Sequence, residues 1–243
     1  TEHAVQSALQ WLAAHQSTDG RWSAVGFDRE CDQCGGETHI EADHALTGLS
    51  LLCFLSAGHT HIKAGPYRDN VDRGLRWLAS RQKADGDLRG EETMYSHGIA
   101  TIAISEAYAM TGDRQLFEPV QRAAGFIQRA RNTNVGGWRY DPGQPGDTSV
   151  LGWQVMALKS ASNAGVDVSR ETFDAARAWL DRVSERSRPG LYAYQPGQRP
   201  TPSMTAEGMF AQLLLGLRPD HSRMRDSVDF ILQHLPNWES DPR

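Results

Sequence analysis

The sequence has few cysteines, no long apolar run and no concentration of positive charge. Three cysteines among 243 residues are too few for a disulfide-stapled scaffold, so stability is expected to come from packing. No apolar run reaches the ~18 residues of a membrane-spanning helix, and none is expected. With 25 Lys and Arg against 30 Asp and Glu, the net charge is −5, which argues against a nucleic-acid partner.

The first residue is Thr1, and neither a Met nor a signal-like apolar stretch precedes the rest of the sequence. This start favours a segment of a longer chain, and it leaves the cellular compartment open. The apolar content of 39% is sufficient for a packed core.

An aromatic–aliphatic pair recurs near the end of successive helix-like stretches. The pairs are Trp11-Leu12, Trp77-Leu78, Phe126-Ile127, Trp179-Leu180 and Phe230-Ile231. The period is about 50 residues, with an insertion of about 15 residues in the first interval, and such a period predicts stacked supersecondary units. Glycine-containing turns follow the first four pairs, at 16–22, 82–88, 135–138 and 189–192.

Two kinds of helix alternate between these turns. The stretches 43–58, 96–112, 148–165 and 203–216 are apolar on most faces, begin with a capping residue and end at glycine, so we expect inner helices there, with Ile102, Met156 and Leu213 buried. The other stretches are amphipathic and belong outside. This alternation predicts an all-α fold, an α/α toroid that is complete or partial, built as a single domain over residues 1–243.

The turn Gln-Ser-Thr-Asp-Gly-Arg-Trp at 16–22 resembles the Q-x-x-D-G-x-W motif of the prenyltransferase and squalene oxidase repeat. This repeat occurs in squalene-hopene cyclases and in the β subunits of protein prenyltransferases. The degenerate copies extend the resemblance over essentially the whole chain, and the stretch 136–150 is especially similar to planctomycete repeat proteins of this type. The resemblance implies an α/α toroid with an apolar, isoprenoid-type ligand in a central cavity.

The acid motif of the resembling cyclases is absent. Those enzymes protonate their substrate with an Asp-x-Asp-Asp motif at the start of an inner helix, where this chain has only Asp147-Thr148. Asp147 is therefore the candidate acid, and whether the chain is an enzyme stays open.

Asp43-His44 and Ser96-His97 occupy equivalent places at the starts of successive inner helices. Helix amino termini attract anions, so His44 and His97 are candidate rim ligands or proton carriers. The alternative, which we favour, is that both residues cap their helices.

Six further residues are candidates for a cavity or its rim, where aromatic faces would contact an apolar ligand. The alternative is that they close turns. They are Tyr95, Tyr140, Asp141, Trp153, Tyr192 and Tyr194.

The inserted stretch contains the one cluster with metal-ligand chemistry. Cys31 and Cys34 form a C-x-x-C turn, followed by His39 and His44, and such a set is able to hold zinc. A local disulfide and two thiols without a special role are the alternatives.

Two functions remain open. The first is a terpene-cyclase- or prenyltransferase-like domain that binds an apolar ligand. The second is a non-catalytic module of a larger protein that binds a protein or a glycan. The two differ in the lining of the cavity.

Overall fold

The computed structural model of the chain describes residues 2–31, 34–36 and 38–236. Within these residues the regular structure is helical, with isolated β-bridges in place of strands, which confirms the all-α class. The helices are α1 (Glu2–Ala14), α2 (Asp43–Ser56), α3 (Arg68–Arg81), α4 (Met94–Thr111), α5 (Arg114–Ala130), α6 (Thr148–Asn163), α7 (Arg170–Val183), α8 (Pro202–Leu214) and α9 (Ser222–Leu232), and a 3₁₀ turn covers Phe27–Glu30.

The predicted inner helices are α2, α4, α6 and α8. Gly112 ends α4 in the left-handed conformation, and the Thr201 side chain caps α8 by accepting the backbone N–H of Met204. Small and apolar residues cover α4 on every face, and the stretch from Ser96 to Ser105 is buried without interruption.

The amphipathic helices bury a single stripe. In α5 the buried residues Leu116, Val120, Ala123 and Ile127 follow the helical repeat. α8 behaves in the same way, because only its stripe of Thr205, Gly208, Ala211 and Gln212 is buried.

Burial is therefore predicted correctly for α4 and incorrectly for part of α8. Ile102 is buried and Met156 is half-buried, but Leu213 is 37% exposed because it lies beside the buried stripe of α8.

The turns at 16–22 and 82–88 both begin with a glutamine, and this glutamine joins the turn to the next amphipathic helix. The Gln16 side-chain amide donates to the carbonyls of Gly20 at 2.7 Å and Asn70 at 2.9 Å. Gln82 donates in the same way to the carbonyls of Gly86 and Pro119, at 3.3 and 2.9 Å. The repeated motif thus encodes a repeated helix contact.

The glycines of these turns permit a close approach of two backbones. A Cβ atom on Gly20, whose φ is 102°, would lie 2.6 Å from the carbonyl oxygen of Arg73. A Cβ atom on Gly86, whose φ is 94°, would clash with the carbonyl of Arg122 in α5. Only glycine combines this φ with this proximity.

Two compact units can be distinguished in the chain. Unit 1 comprises the described residues through Arg129 together with Ala157–Val168, and unit 2 comprises Ala130–Met156 and the described residues from Ser169 onward. The single-domain organisation stays a prediction. None of the helices in the described ranges combines the length and the apolar character that crossing a membrane requires.

Candidate functional site

A cleft of about 840 Å³ opens in unit 1 at the amino-terminal ends of α2 and α4. It is formed where the turn around residue 90 faces the start of α2. The lining contains groups of both charges and aromatic rings. They include Arg21, Asp43, His44, Trp77, Arg81, Lys83, Glu92 and Tyr95.

His44 and Glu92 form a buried pair in this cleft. Glu92 Oε1 lies 3.2 Å from His44 Nδ1 and also accepts the backbone N–H of His44 at 3.1 Å. Burial alone would raise the pKa of Glu92, but the interactions with His44 and Ser96 together outweigh burial and lower the pKa, so the carboxyl is ionised at neutral pH. Because a carboxylate only accepts, we assign the proton of the neutral ring to Nδ1 and the lone pair to Nε2.

Five buried polar atoms of the cleft residues lack a hydrogen-bond partner within the described ranges. They are His44 Nε2, Asp43 Oδ1, Glu92 Oε2, Arg21 Nε and Trp77 Nε1. Buried polar atoms are normally partnered, so an occupant of the cleft has five unfilled positions to satisfy. In the protonation state assigned above, the first three atoms are acceptors, and the N–H groups of Arg21 and Trp77 are donors.

His97 lies outside the lining of the cleft and is wholly buried. Its Nδ1 accepts the backbone N–H of Leu88 at 3.0 Å, and its Nε2 lies 3.1 Å from the carbonyl oxygen of Ala123, to which it donates. Burial lowers the pKa of His97 to about 4, so the ring is neutral. The geometry is that of a residue that joins α4 to a turn and to α5.

Asp147 lies in unit 2, wholly buried at the start of α6. Its Oδ1 accepts the backbone N–H of Val150 at 2.8 Å, and its Oδ2 accepts the Tyr194 hydroxyl at 3.0 Å. Arg139 Nε lies 3.6 Å from the same Oδ2. Burial outweighs these partners and raises the pKa of Asp147.

Glu207 of α8 is a second carboxyl group near Asp147, and the sequence gives little sign of it. It lies against Gly152 of α6, at a place where any Cβ atom would clash with the carboxyl. Burial and the negative charge of Asp147 raise the pKa of Glu207 to about 7. Such a group exchanges a proton readily at neutral pH. The catalytic role of Asp147 stays a prediction.

The tyrosines of unit 2 divide into two groups. The Tyr140 hydroxyl lies 3.1 Å from that of Tyr194, which connects the 39%-exposed Tyr140 to the buried Asp147. Tyr192 is wholly buried, and its ring packs against Gly208.

Three further residues are candidates for a cavity or its rim. Asp141 closes an exposed turn by accepting the side-chain amide of Gln144 at 2.9 Å. Trp153 is half-buried on α6. Tyr95 lines the unit 1 cleft, and its role at a rim stays a prediction.

Cys31 and Cys34 are brought together with a histidine that sequence reasoning missed. His15 Nε2 lies 3.1 Å from each of the two sulfur atoms. Of the two histidines predicted beside them, His44 is paired with Glu92 and His39 lies outside the trio. His15 precedes Cys31 by 16 residues and stands directly before the first turn motif, so no local spacing marks it.

Comparison with known proteins finds a family model that matches part of the sequence and solved structures with a similar fold. Residues 1–103 match the family model of the squalene-hopene cyclase C-terminal domain. None of the curated proteins matches the sequence. Among solved structures, the GH76A alpha-1,6-mannanase of Salegentibacter sp. HEL1_6 is similar at 13% identity, with 93% of this chain and 68% of that chain covered and a TM-score of 0.62.

An inactive variant of the same mannanase, in complex with alpha-1,6-mannotriose, is similar at 15% identity with the same coverage and TM-score. At these identities the similarity concerns the fold. The chain has the α/α toroid fold, which confirms the fold expected from the sequence, and the match over residues 1–103 agrees with the resemblance expected in that part of the chain.

Proposed function

We propose that this domain binds a hydroxyl-rich ligand, an oligosaccharide, in the unit 1 cleft. The observation that supports this function is that the cleft leaves acceptors and donors unpartnered together: His44 Nε2, Asp43 Oδ1 and Glu92 Oε2 accept, and Arg21 Nε and Trp77 Nε1 donate. A ligand that fills all of these positions has to donate hydrogen bonds and also accept them. A sugar hydroxyl does both, and its oxygen also accepts from cations such as Arg81 and Lys83 of the same lining.

The same atoms disfavour an isoprenoid diphosphate in this cleft. A diphosphate offers almost only acceptors at neutral pH, so it would satisfy Arg21 Nε and Trp77 Nε1 but would leave the three unpartnered acceptors unfilled. It would also lie beside the carboxylates of Asp43 and Glu92. The glycan alternative therefore fits this cleft better than an isoprenoid with an anionic head.

The proposal concerns binding. His44 Nε2 is positioned to take a proton from a bound hydroxyl, with the Glu92 carboxylate stabilising the imidazolium that results. Turnover would need a second group that reaches the scissile bond, and the proposal assigns none.

Calorimetric titration with a panel of neutral oligosaccharides tests the function, beginning with alpha-1,6-mannotriose because the similar mannanase binds it. The Glu92→Gln variant replaces an acceptor with an amide that donates, and the affinity for the sugar should fall by about tenfold or more, the value of one hydrogen bond to a charged group. The matched control is Glu118→Gln on α5, where the side chain is 74% exposed, and it should bind as the wild type does. Absence of binding across the panel, or full affinity in Glu92→Gln, contradicts the proposal.

A second candidate function rests on a separate apolar groove of about 750 Å³ along α2 and α4 in unit 1. Leucines at 49, 52 and 55 line it together with Ile102 and Met110, and the 46% exposure of Met110 shows that the groove is accessible. This lining suits the apolar, isoprenoid-type ligand that the sequence resemblance implies.

Methyl NMR of methionine-labelled protein with farnesol as the probe tests the second candidate. The Met110 methyl signal should shift on saturation, while that of Met94, which is wholly buried in the same helix, should not. An unchanged Met110 signal excludes the groove as the ligand site.

A further inference from the structure

We propose that His15, Cys31 and Cys34 bind a zinc ion. The three possible ligand atoms lie within 4.8 Å of one another, and His15 Nε2 is 3.1 Å from both sulfur atoms. Two thiolates and one imidazole form a soft donor set that suits zinc and does not suit calcium or magnesium. This set is separate from the unit 1 cleft and independent of the function proposed for it.

The surroundings of His15 are those of a metal ligand. Its Nδ1 lies 2.6 Å from the carbonyl oxygen of Trp11, to which it donates, so the lone pair of Nε2 is directed at the two sulfur atoms. Metal-bound histidines commonly have their second ring nitrogen fixed by such a carbonyl. The orientation follows from the end of the helix, because Trp11 lies in the last turn of α1 and His15 directly follows α1, with its backbone N–H donating to the Trp11 carbonyl.

The Trp11 side chain makes two further contacts with the trio. Its indole ring stacks on the His15 ring with the centroids 3.8 Å apart, and its Nε1–H donates to Cys34 Sγ at 3.3 Å. These two contacts join the exposed Trp11 side chain to both kinds of ligand in the trio, the imidazole and a sulfur atom.

The spacing admits the ion with a small adjustment. Tetrahedral zinc, with Zn–N near 2.1 Å and Zn–S near 2.3 Å, places each nitrogen–sulfur pair about 3.6 Å apart, so the trio opens by about 0.5 Å. The fourth position is left for water or another oxygen ligand. The ion would join the end of α1 to the inserted stretch 23–42, whose only regular structure in the described part is one short 3₁₀ turn.

The metal content of the whole chain tests this site. The protein is loaded with zinc under a reductant that does not bind metal, freed of excess ion and analysed by mass spectrometry. We expect about one ion per chain in the wild type and about tenfold less in Cys34→Ser and His15→Gln. The controls Cys53→Ser, on the exposed part of α2, and His39→Gln should keep the full content. Wild type without zinc, or His15→Gln with full zinc, overturns the proposal.

Alkylation of the wild type gives a readout that does not depend on the folding of the variants. With zinc bound, only Cys53 should react rapidly, and all three thiols should react once a chelator removes the ion. Equal rates with and without zinc overturn the proposal. So does a single reactive thiol that persists after chelation until stronger reductant is added, because that result identifies a Cys31–Cys34 disulfide.

Discussion

Replacing Glu207 with glutamine is expected to stabilise the protein at pH 8 and to change its stability little at pH 5. Glu207 has its pKa raised from 4.5 to about 7 because its carboxyl is buried near the charge of Asp147. The folded state thus favours the protonated, neutral form. Glutamine is a neutral group of nearly the same shape.

The sign and the size of the effect follow from this pKa difference. Below about pH 4.5 the carboxyl is protonated in both states and costs no stability; stability is lost progressively as the pH rises through 7, and the loss is complete above that. The full difference corresponds to about 3.4 kcal/mol. Because the side chain is only half-buried, solvent screening reduces the expected cost to about 1.5–2 kcal/mol.

Urea unfolding followed by far-ultraviolet circular dichroism, at pH 5 and at pH 8, measures this effect. Glu207→Gln should raise the free energy of unfolding at pH 8 by about 1.5–2 kcal/mol and flatten its decline between the two pH values. The control Glu171→Gln, at an 83%-exposed position of the same unit, should differ from wild type by less than about 0.5 kcal/mol. A Glu207→Gln protein that is less stable at pH 8, or equally changed at both pH values, refutes the reasoning.

Three further predictions concern packing. Gly86→Ala should lower the free energy of unfolding by about 2 kcal/mol or more, because the new Cβ meets the Arg122 carbonyl at a positive φ; thermal unfolding measures this, and a neutral effect would contradict the close approach. The His97 ring should remain neutral down to about pH 4 in a ¹⁵N NMR titration, whereas titration near 6.5 would show that it is accessible to solvent. Thr148→Val should lose about 1 kcal/mol with its 2.7 Å hydrogen bond to the Ala193 carbonyl, and Thr148→Ser should retain most of it, as chemical unfolding of both variants can establish.

The helices and their order could be predicted because their signals are local. Capping residues, terminal glycines and apolar periodicity lie within one element, and the stretches predicted as inner helices correspond to α2, α4, α6 and α8. The structure also explains why the turn motif repeats. Gln16 donates to the carbonyl of Gly20, and Gln82 makes the same contact in the next repeat. The prediction that Leu213 is buried is wrong, because an apolar helical segment does not specify which of its faces will pack against other helices.

The candidate sites could be predicted only in part, because each is assembled from residues distant in sequence. The position of Asp147 at the start of an inner helix indicates it as a candidate acid. No such signal indicates Glu207, whose carboxyl fits against α6 because Gly152 has no side chain. The C-x-x-C spacing indicates Cys31 and Cys34 as possible metal ligands. Their partner His15 lies 16 residues before Cys31, directly after α1, and no spacing rule connects it to them.

Direct observation of His44 Nε2 tests the central claim that the unit 1 cleft binds a hydroxyl-rich ligand. In ¹⁵N-histidine-labelled protein saturated with alpha-1,6-mannotriose, or with whichever panel sugar binds most tightly, the Nε2 resonance of His44 should move as this nitrogen accepts a hydrogen bond, and the Nδ1 resonance should keep the position set by Glu92. An Nε2 resonance that stays in place while the sugar is bound would show that the ligand lies elsewhere and that the cleft is not the site.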